Sequence, residues 1–293
     1  MLKLIKKLYR KLVLFFFKNQ LSIKINLIFF IYNSLLKIFR FFFPLKRSKS
    51  FEETSKALIK DGFININFSQ IDLINKIAKD VEYQFSNHIN TDHELEKNGL
   101  IRLKDSSINV DDLLKIFKNF ELDSILKNYF KSNYFVYSSD IYRTKPLEPE
   151  EAPFDSTSWH FDNSPLKMLK IFLYLSDVEV KNGPLTLSNK LISIKMKKRG
   201  LFFRDELNKY KKLIEDEKTK ILGKSGKITI FSPHNIHKAS IPEEGIRDAA
   251  VFLVYPSFCR ITNESKKRKE EISRNFGYMI NPFSKKPLRY GIK

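Results

Sequence analysis

Four residues carry the types and spacing that could do chemistry: His160, Asp162, His237 and Arg247. His160 and Asp162 stand two apart in SWHFDN, and on a strand or its edge that spacing sends both side chains to one face. His237 comes well downstream, after GKITIFSP, and must reach the pair from a distant strand. Two imidazole nitrogens and one carboxylate oxygen form a borderline-hard donor set that suits Fe(II), with Mn or Zn also able to bind. Arranged on one face of an octahedral ion, they leave half of its coordination sphere open. Arg247, ten positions beyond His237, opens the next predicted strand. Its rigid guanidinium fork suits a two-point pair with a carboxylate held about one ligand's length from the metal.

Each of these residues has a competitor or a plainer reading. A histidine followed two later by an acid is a weak motif by itself; the distal histidine, the arginine and the strands around them strengthen it. His234 lies three residues from His237 and competes with it as the ligand; the spacing to Arg247, together with the family resemblance given below, favours His237 and leaves His234 to a loop or an outer position. His88 and His93, in SNHINTDHE, read as solvated loop. Trp159, the single tryptophan, is expected to pack beneath the site rather than touch substrate. Arg102 and Arg143 could reach a substrate anion, although salt bridging is the commoner fate. Lys170, at the start of a strand near the site, is open between the same two roles. The run KKRKEE at 266–271 reads as a solvated face.

The elements that must position these residues fall into two halves. From Phe51 to about Phe85 apolar residues recur at helical spacing, interrupted by KDGFININ, where Gly62 stops a helix and FININ alternates as a strand does. SNHINTDHELEKNG reads as loop, and 112–130 as helix with Leu113, Leu114, Ile116 and Phe117 on one side. The second half changes period. NYFVYSSDIY, KMLKIFLYLSDV, GPLTL, GKITIF and RDAAVFLVYPSF are short aromatic and β-branched runs bounded by turn residues. A lysine-rich segment between Lys190 and Gly226 reads as a helical insertion. Helices followed by collected strands predict an α+β protein with a sandwich or barrel core.

The chain has 293 residues, enough for a substantial core, and a net charge of +20. That charge is not spread evenly. Residues 1–50 hold nine Lys and three Arg with no acid, leaving only +8 for the rest. No helix-turn-helix, zinc finger or RNA-binding signature accompanies it, so nucleic acid is not expected as a partner. One cysteine, Cys259, excludes an intramolecular disulfide and a thiolate metal cluster. On a helix, Lys3, Lys6, Lys7, Arg10, Lys11 and Lys18 fall within an arc of about 140°, opposite Leu4, Ile5, Leu8, Leu12 and Phe15. A basic amphipathic helix of this kind suits an anionic membrane surface, with lysine stems reaching to the headgroups. The longest uncharged stretch in its second half, Ile25 to Leu36, is short of the roughly 20 residues a span needs. A secretory signal fits poorly, because Lys18 interrupts LVLFFF and no small-residue cleavage site follows. Packing of the segment on the protein itself, or on a partner, is the plainer alternative.

With KDGFININ, WHFDN, LYLSDV, NGPL and the H…R pair ahead of a final strand, residues 51–258 resemble the phytanoyl-CoA dioxygenase family of Fe(II)/2-oxoglutarate oxygenases. The resemblance implies a double-stranded β-helix, the jelly-roll or cupin-like barrel, with flanking helices. It implies His160, Asp162 and His237 as iron ligands, and Arg247 as the anchor for the distal carboxylate of 2-oxoglutarate. It also implies a dioxygenase that consumes O2 and releases succinate and CO2 while hydroxylating a small or lipid-like substrate. Retention of a carboxylate at Asp162 favours hydroxylation, since halogenating relatives place a small residue there. Two positions depart from the family pattern: SNKLIS follows the GPL strand where a Pro-Gly-Ser-His run is common, and Ala239, next to Ser240, stands where some members have a serine.

The expected organisation is therefore a basic segment over 1–50, contacting a membrane surface through residues 1–45, and a dioxygenase domain over 51–293. The expected location is cytoplasmic and peripheral to a membrane. Two other classes remain in view: a cupin-type protein that holds a metal or ligand without turnover, and a membrane-bound interaction protein whose barrel is a scaffold.

Overall fold

The computed structural model describes residues 48–257, apart from 88–90, 93–97, 104–109 and 163–167, together with positions 31, 34–35, 37–38 and 41–42. His88, His93, Cys259, the 266–271 run and nearly all of the basic N-terminal segment lie outside the described residues. No described helix is long and apolar enough to cross a membrane.

Helix α1 (Glu52–Asp61) begins with two acids, which suit the positive end of a helix dipole. It ends at Gly62, whose φ of 84° only glycine adopts without strain and whose N–H bonds the carbonyl of Leu58. A Cβ there would also overlap the side-chain amide of Asn235. The chain then enters β1 (Phe63–Asn67) and helix α2 (Ile71–Ser86), which buries Ile74, Ile77, Val81 and Phe85 on one stripe. The run expected as one helix over 112–130 is split. Helix α3 (Val110–Lys115) passes into a 3-10 turn, and Asn119, with ψ of 127°, breaks the chain before α4 (Phe120–Phe130). The Asn119 side chain accepts a hydrogen bond from the N–H of Leu122, so a strong helix start interrupts a continuous apolar pattern.

The remaining strands are β2 (Thr91–Asp92), β3 (Leu100–Leu103), β4 (Asn133–Thr144), β5 (Leu169–Tyr174), β6 (Leu185–Ser188), β7 (Lys218–Lys220), β8 (Lys227–Phe231), β9 (His237–Ala239) and β10 (Arg247–Ser257). They form a seven-stranded sheet, β1-β8-β5-β10-β4-β3-β2, and a three-stranded sheet, β7-β6-β9. Every pairing is antiparallel. An isolated bridge between His160 and His237 extends the smaller sheet beyond β9. Two antiparallel sheets traversed alternately in this order are the double-stranded β-helix that the sequence leads one to expect.

Side-chain alternation divides the core in two. Leu169, Ile171 and Leu173 of β5, Ile228 and Ile230 of β8, and Ala250, Phe252 and Val254 of β10 meet α1, α2 and α4 on the outer face of the large sheet. The intervening Tyr174, Phe231 and Ala249 meet Leu185 and Leu187 of the small sheet inside the barrel. A register shift between Leu253 and Val254 leaves one extra residue on β4, reversing that strand's parity. Val136 and Ile141, an odd number of residues apart, therefore both reach the helical side.

Segment 190–226 is only partly the expected helical insertion. Helices α5 (Lys190–Lys198), α6 (Arg204–Asn208) and α7 (Lys211–Asp216) occupy its first part, and then β7 joins β6. The sequence of β7, KTK, is exposed throughout and carries no alternation from which a strand could be read. β9 begins at His237, so that histidine stands on a short strand of its own and not on the turn that ends β8.

Ile230 is fully buried between the large sheet and the helices. Ile230→Ala is expected to lower unfolding free energy by about 2–5 kcal/mol, as measured by chemical denaturation. A loss under about 1 kcal/mol would contradict this division of the core.

Candidate metal centre

The reciprocal bridge between His160 and His237 builds the site. Each backbone N–H donates to the other residue's carbonyl at 3.0 Å. Two segments far apart in sequence are thereby locked residue against residue, and the two rings come to a centroid distance of 4.3 Å. Asp162 is fixed separately, its N–H donating to the carbonyl of Pro233 at 3.0 Å. Strand-like alternation does the rest. His160, Asp162 and His237 face inward, while Trp159, Phe161, Ile236 and Lys238 face the insertion helices.

On that outer side Trp159 and Ile236 are buried with Met196, Leu207 and Ile214, with Phe161 packed against them. The ammonium of Lys197 lies 4.6 Å from the centre of the Phe161 ring, and that of Lys238 lies 4.7 Å from the Trp159 ring. Lys238 also donates to Glu215 at 3.2 Å. Trp159 thus packs beneath the site, as expected, and the insertion braces the backs of the same short segments.

The carboxylate Oδ1 of Asp162 lies 3.4 Å from Nε2 of His160 and 3.6 Å from Nε2 of His237. All three donor atoms fall within 4.8 Å of one another. Adjacent ligands at about 2.1 Å from an ion stand about 3 Å apart, so small side-chain rotations close the set. The tautomers are right for a metal. Nδ1 of His160 donates to the carbonyl of Ser158 at 2.8 Å, and Nδ1 of His237 to that of Asn235 at 2.9 Å. A carbonyl can only accept, so in the neutral ring each Nε2 carries a lone pair directed inward. Nε2 of His237 is buried without a hydrogen-bond partner. A buried, unpaired acceptor beside a second imidazole and a carboxylate is a fitting place for a cation.

Burial, with the nearby His160 ring, presses the His237 imidazole down to about 3. Burial pushes the Asp162 carboxyl upward, but the Lys170 ammonium and the two imidazoles overcome this and hold it well below the usual carboxylate range. Lys170, on β5, forms an ion pair with Oδ2 of Asp162. The other open assignments divide. Arg143 grips Asp248 with two bonds of 2.8 and 2.7 Å, pairs with Glu82 and stacks over Phe85, which is a structural role. Arg102 pairs with Asp140. His234 lies away from the three donors, lining an outer cleft of about 190 Å³ with Leu58, Lys190, Lys197 and Asn235.

Arg247 opens β10 and is buried. One of its terminal nitrogens donates to the carbonyl of Gly183 and, at 3.5 Å, to that of Ser240. Its Nε has no partner, and among the described residues no carboxylate forms an ion pair with it. Burial lowers its pKa from the ordinary value, yet a guanidinium stays charged. Gly183 is required at this cradle: its φ is 67°, and a Cβ would come within 2.5 Å of Ser240 O and Pro242 N. Ser240, next to Ala239, bonds Thr186 hydroxyl to hydroxyl at 3.3 Å. SNKLIS, where the family's common run is missing, is a helix start capped by Asn189, which accepts from the N–H of Leu191.

No protein-family model and no curated protein matches the chain. Solved structures do. The non-heme alpha ketoglutarate dependent epimerase SnoN from nogalamycin biosynthesis is 14% identical with a TM-score of 0.54, over 71% of this chain and 83% of its own. EctD from S. alaskensis, crystallised with 2-oxoglutarate and 5-hydroxyectoine, is 14% identical with a TM-score of 0.54, over 73% and 79%. The carbocyclase SnoK, also alpha ketoglutarate dependent and from nogalamycin biosynthesis, is 14% identical with a TM-score of 0.50, over 75% and 90%. The likeness to these iron- and 2-oxoglutarate-dependent proteins establishes the double-stranded β-helix fold.

The site fixes a pH dependence. An imidazole whose folded pKa is about 3, against 6.5 for the ordinary group, binds its proton more readily in the unfolded chain. Stability of the metal-free protein is then complete above about pH 6.5, falls as pH drops, and loses this contribution fully near pH 3. His237→Gln is expected to flatten that slope, as measured by denaturation at a series of pH values. An unchanged slope would show that the imidazole is not held neutral by burial.

Proposed function

We propose that this protein is an Fe(II)/2-oxoglutarate-dependent dioxygenase that hydroxylates a small molecule, with His160, Asp162 and His237 as the iron ligands and Arg247 as the anchor for the co-substrate. One observation carries the reading: a two-imidazole, one-carboxylate set with its lone pairs directed inward shares a barrel with a buried guanidinium that, among the described residues, forms no ion pair with a carboxylate. A buried cation left uncompensated is costly. A dicarboxylate spanning from the metal to Arg247 would compensate it, and the planar fork would fix the diacid's orientation.

When bound, ferrous ion with 2-oxoglutarate and O2 supplies the oxidising chemistry, releasing succinate and CO2. The chain's own part is to hold and orient. Phe172, Tyr174, Leu185, Leu187 and Phe231 keep the barrel interior apolar, so the charged groups there act in a medium of low polarity. The guanidinium lies over Phe172 at 5.8 Å. Near the ligands the inner wall is polar: Lys170 pairs with Asp162, and Asp140, joined to Arg102, precedes Tyr142 on β4. Those groups favour a polar substrate over a lipid-like one. The carboxylate of Asp162 favours hydroxylation over halogenation.

The chain is read as a basic segment over 1–50 joined to the dioxygenase domain of residues 51–293. The N-terminal charge of +12 with many apolar residues supports attachment of the cytoplasmic enzyme to an anionic membrane surface.

Purified protein with Fe(II), 2-oxoglutarate and O2 is expected to release succinate. His160→Ala and Asp162→Ala should reduce that rate by more than the roughly hundredfold typical of outer-shell changes. Arg247→Met should raise KM for 2-oxoglutarate by an amount equivalent to about 2–5 kcal/mol. No succinate with any of a broad set of polar candidates, from a protein that still binds the metal, would favour a non-catalytic binding protein. Removal of residues 1–45 should abolish sedimentation with anionic vesicles; a truncated protein that still sediments would refute the attachment.

A further inference from the structure

We propose that Lys170 is a positioning residue that restricts Asp162 to ligation through one oxygen and so preserves the last open coordination position; the inference rests on the metal-centre reading above. The geometry assigns the two oxygens different tasks. Oδ1 faces Nε2 of His160 and of His237 at 3.4 and 3.6 Å, while Oδ2 is engaged by the Lys170 ammonium.

The lysine is held firmly for this. It stands on β5 between Leu169 and Ile171, both fully buried in the core on the far side of the sheet. Its backbone is paired on both sides, with Phe231 of β8 and Leu253 of β10. Alternation turns its side chain into the barrel, where only 21% of it is exposed, as is the case for Asp162. Phe172 and Tyr174 follow on the same inner face, so a lysine interrupts an otherwise aromatic row beside the carboxylate. An inward ammonium is unfavourable unless paired, and Asp162 is its ion-pair partner among the described residues.

Counting ligands shows what this does. An octahedral ion with three protein atoms keeps three positions, two for a chelating co-substrate and one for O2. A carboxylate that bound through both oxygens would take one of these. An ammonium on Oδ2 prevents that, and it does so with a charge that also repels the dication. Lys170 therefore weakens metal binding while keeping the coordination open. A lysine with only a structural role would show the reverse, since its loss would loosen the site and weaken both metal and co-substrate together.

The test uses full-length protein with Co(II) as a spectroscopic probe, and Lys170→Met beside Lys170→Arg. Calorimetry gives Co(II) affinity, the visible spectrum reports coordination, and 2-oxoglutarate is then titrated into the Co(II)-loaded protein without O2. Lys170→Met is expected to bind Co(II) about tenfold more tightly or better and 2-oxoglutarate about tenfold more weakly, with an altered Co(II) spectrum before co-substrate is added. Lys170→Arg should return both affinities to near the wild-type values. Should Lys170→Met fail to fold, Lys170→Gln is judged by the same criteria. The assignment is overturned if the charge-removed variant matches wild type in both affinities, or loses both together with an unchanged spectrum. Wild-type protein that binds no Co(II) would overturn the metal-centre reading itself, whereas normal wild-type binding with an indifferent variant removes only the role given to Lys170.

Discussion

The paired backbone hydrogen bonds between His160 and His237 are the constraint on which the site depends. They are two bonds of ordinary length, and the His160 side has no regular strand around it. Yet they place two histidines directly opposite one another, and a register slip of one residue would turn either side chain out of the barrel. Everything that keeps the register therefore serves the metal. The turn between β8 and β9 supplies the carbonyls of Pro233 and Asn235 to Asp162 and His237. The insertion helices hold Trp159, Phe161, Ile236 and Lys238, the neighbours of the ligands on the opposite face.

Charge is distributed in the barrel with a similar economy of means. Among the described residues the aromatic and aliphatic lining holds three ionic features: Asp162 with Lys170, Asp140 with Arg102, and Arg247 without an ion pair. Two are self-compensated, so the inner wall is close to neutral except at the guanidinium. The contrast with Arg143 is instructive. That arginine also sits on a strand of the large sheet, but Asp248, Glu82 and the Phe85 ring satisfy it from three directions. Arg247 has carbonyls, which orient it without neutralising it, and among the described residues it forms no ion pair with a carboxylate.

Much of this was legible in the residues. The convergence of His160, Asp162 and His237, the strands carrying β4, β5, β6, β8 and β10, and the glycine stop at Gly62 are all marked in the residues by spacing, alternation and turn chemistry. What escaped had physical causes. β7 is three exposed polar residues, a strand only because β6 is beside it, and tertiary pairing leaves no trace in such a segment. The break at Asn119 did have a signal, an asparagine followed by acids in the first turn, but the apolar periodicity running through it was the stronger pattern. Lys170 could have been assigned from parity, since a lysine between two core leucine and isoleucine positions on a buried strand must face inward. Which acid it meets there depends on Asp162, whose position is set by a turn carbonyl and not by any strand period.

The position of β10 has a consequence for how the molecule comes to exist. The last strand among the described residues lies near the middle of the large sheet, bonded to β5 on one side and β4 on the other. Until it is made, β4 and β5 have no common neighbour, and each presents an open edge to solvent and to other chains. The ribosome must deliver almost the entire domain before the sheet can close, and the contacts that close it are distant in sequence, which makes assembly slow. The guanidinium arrives with this strand at its first residue, so a barrel that has not yet taken in β10 also lacks its buried cation.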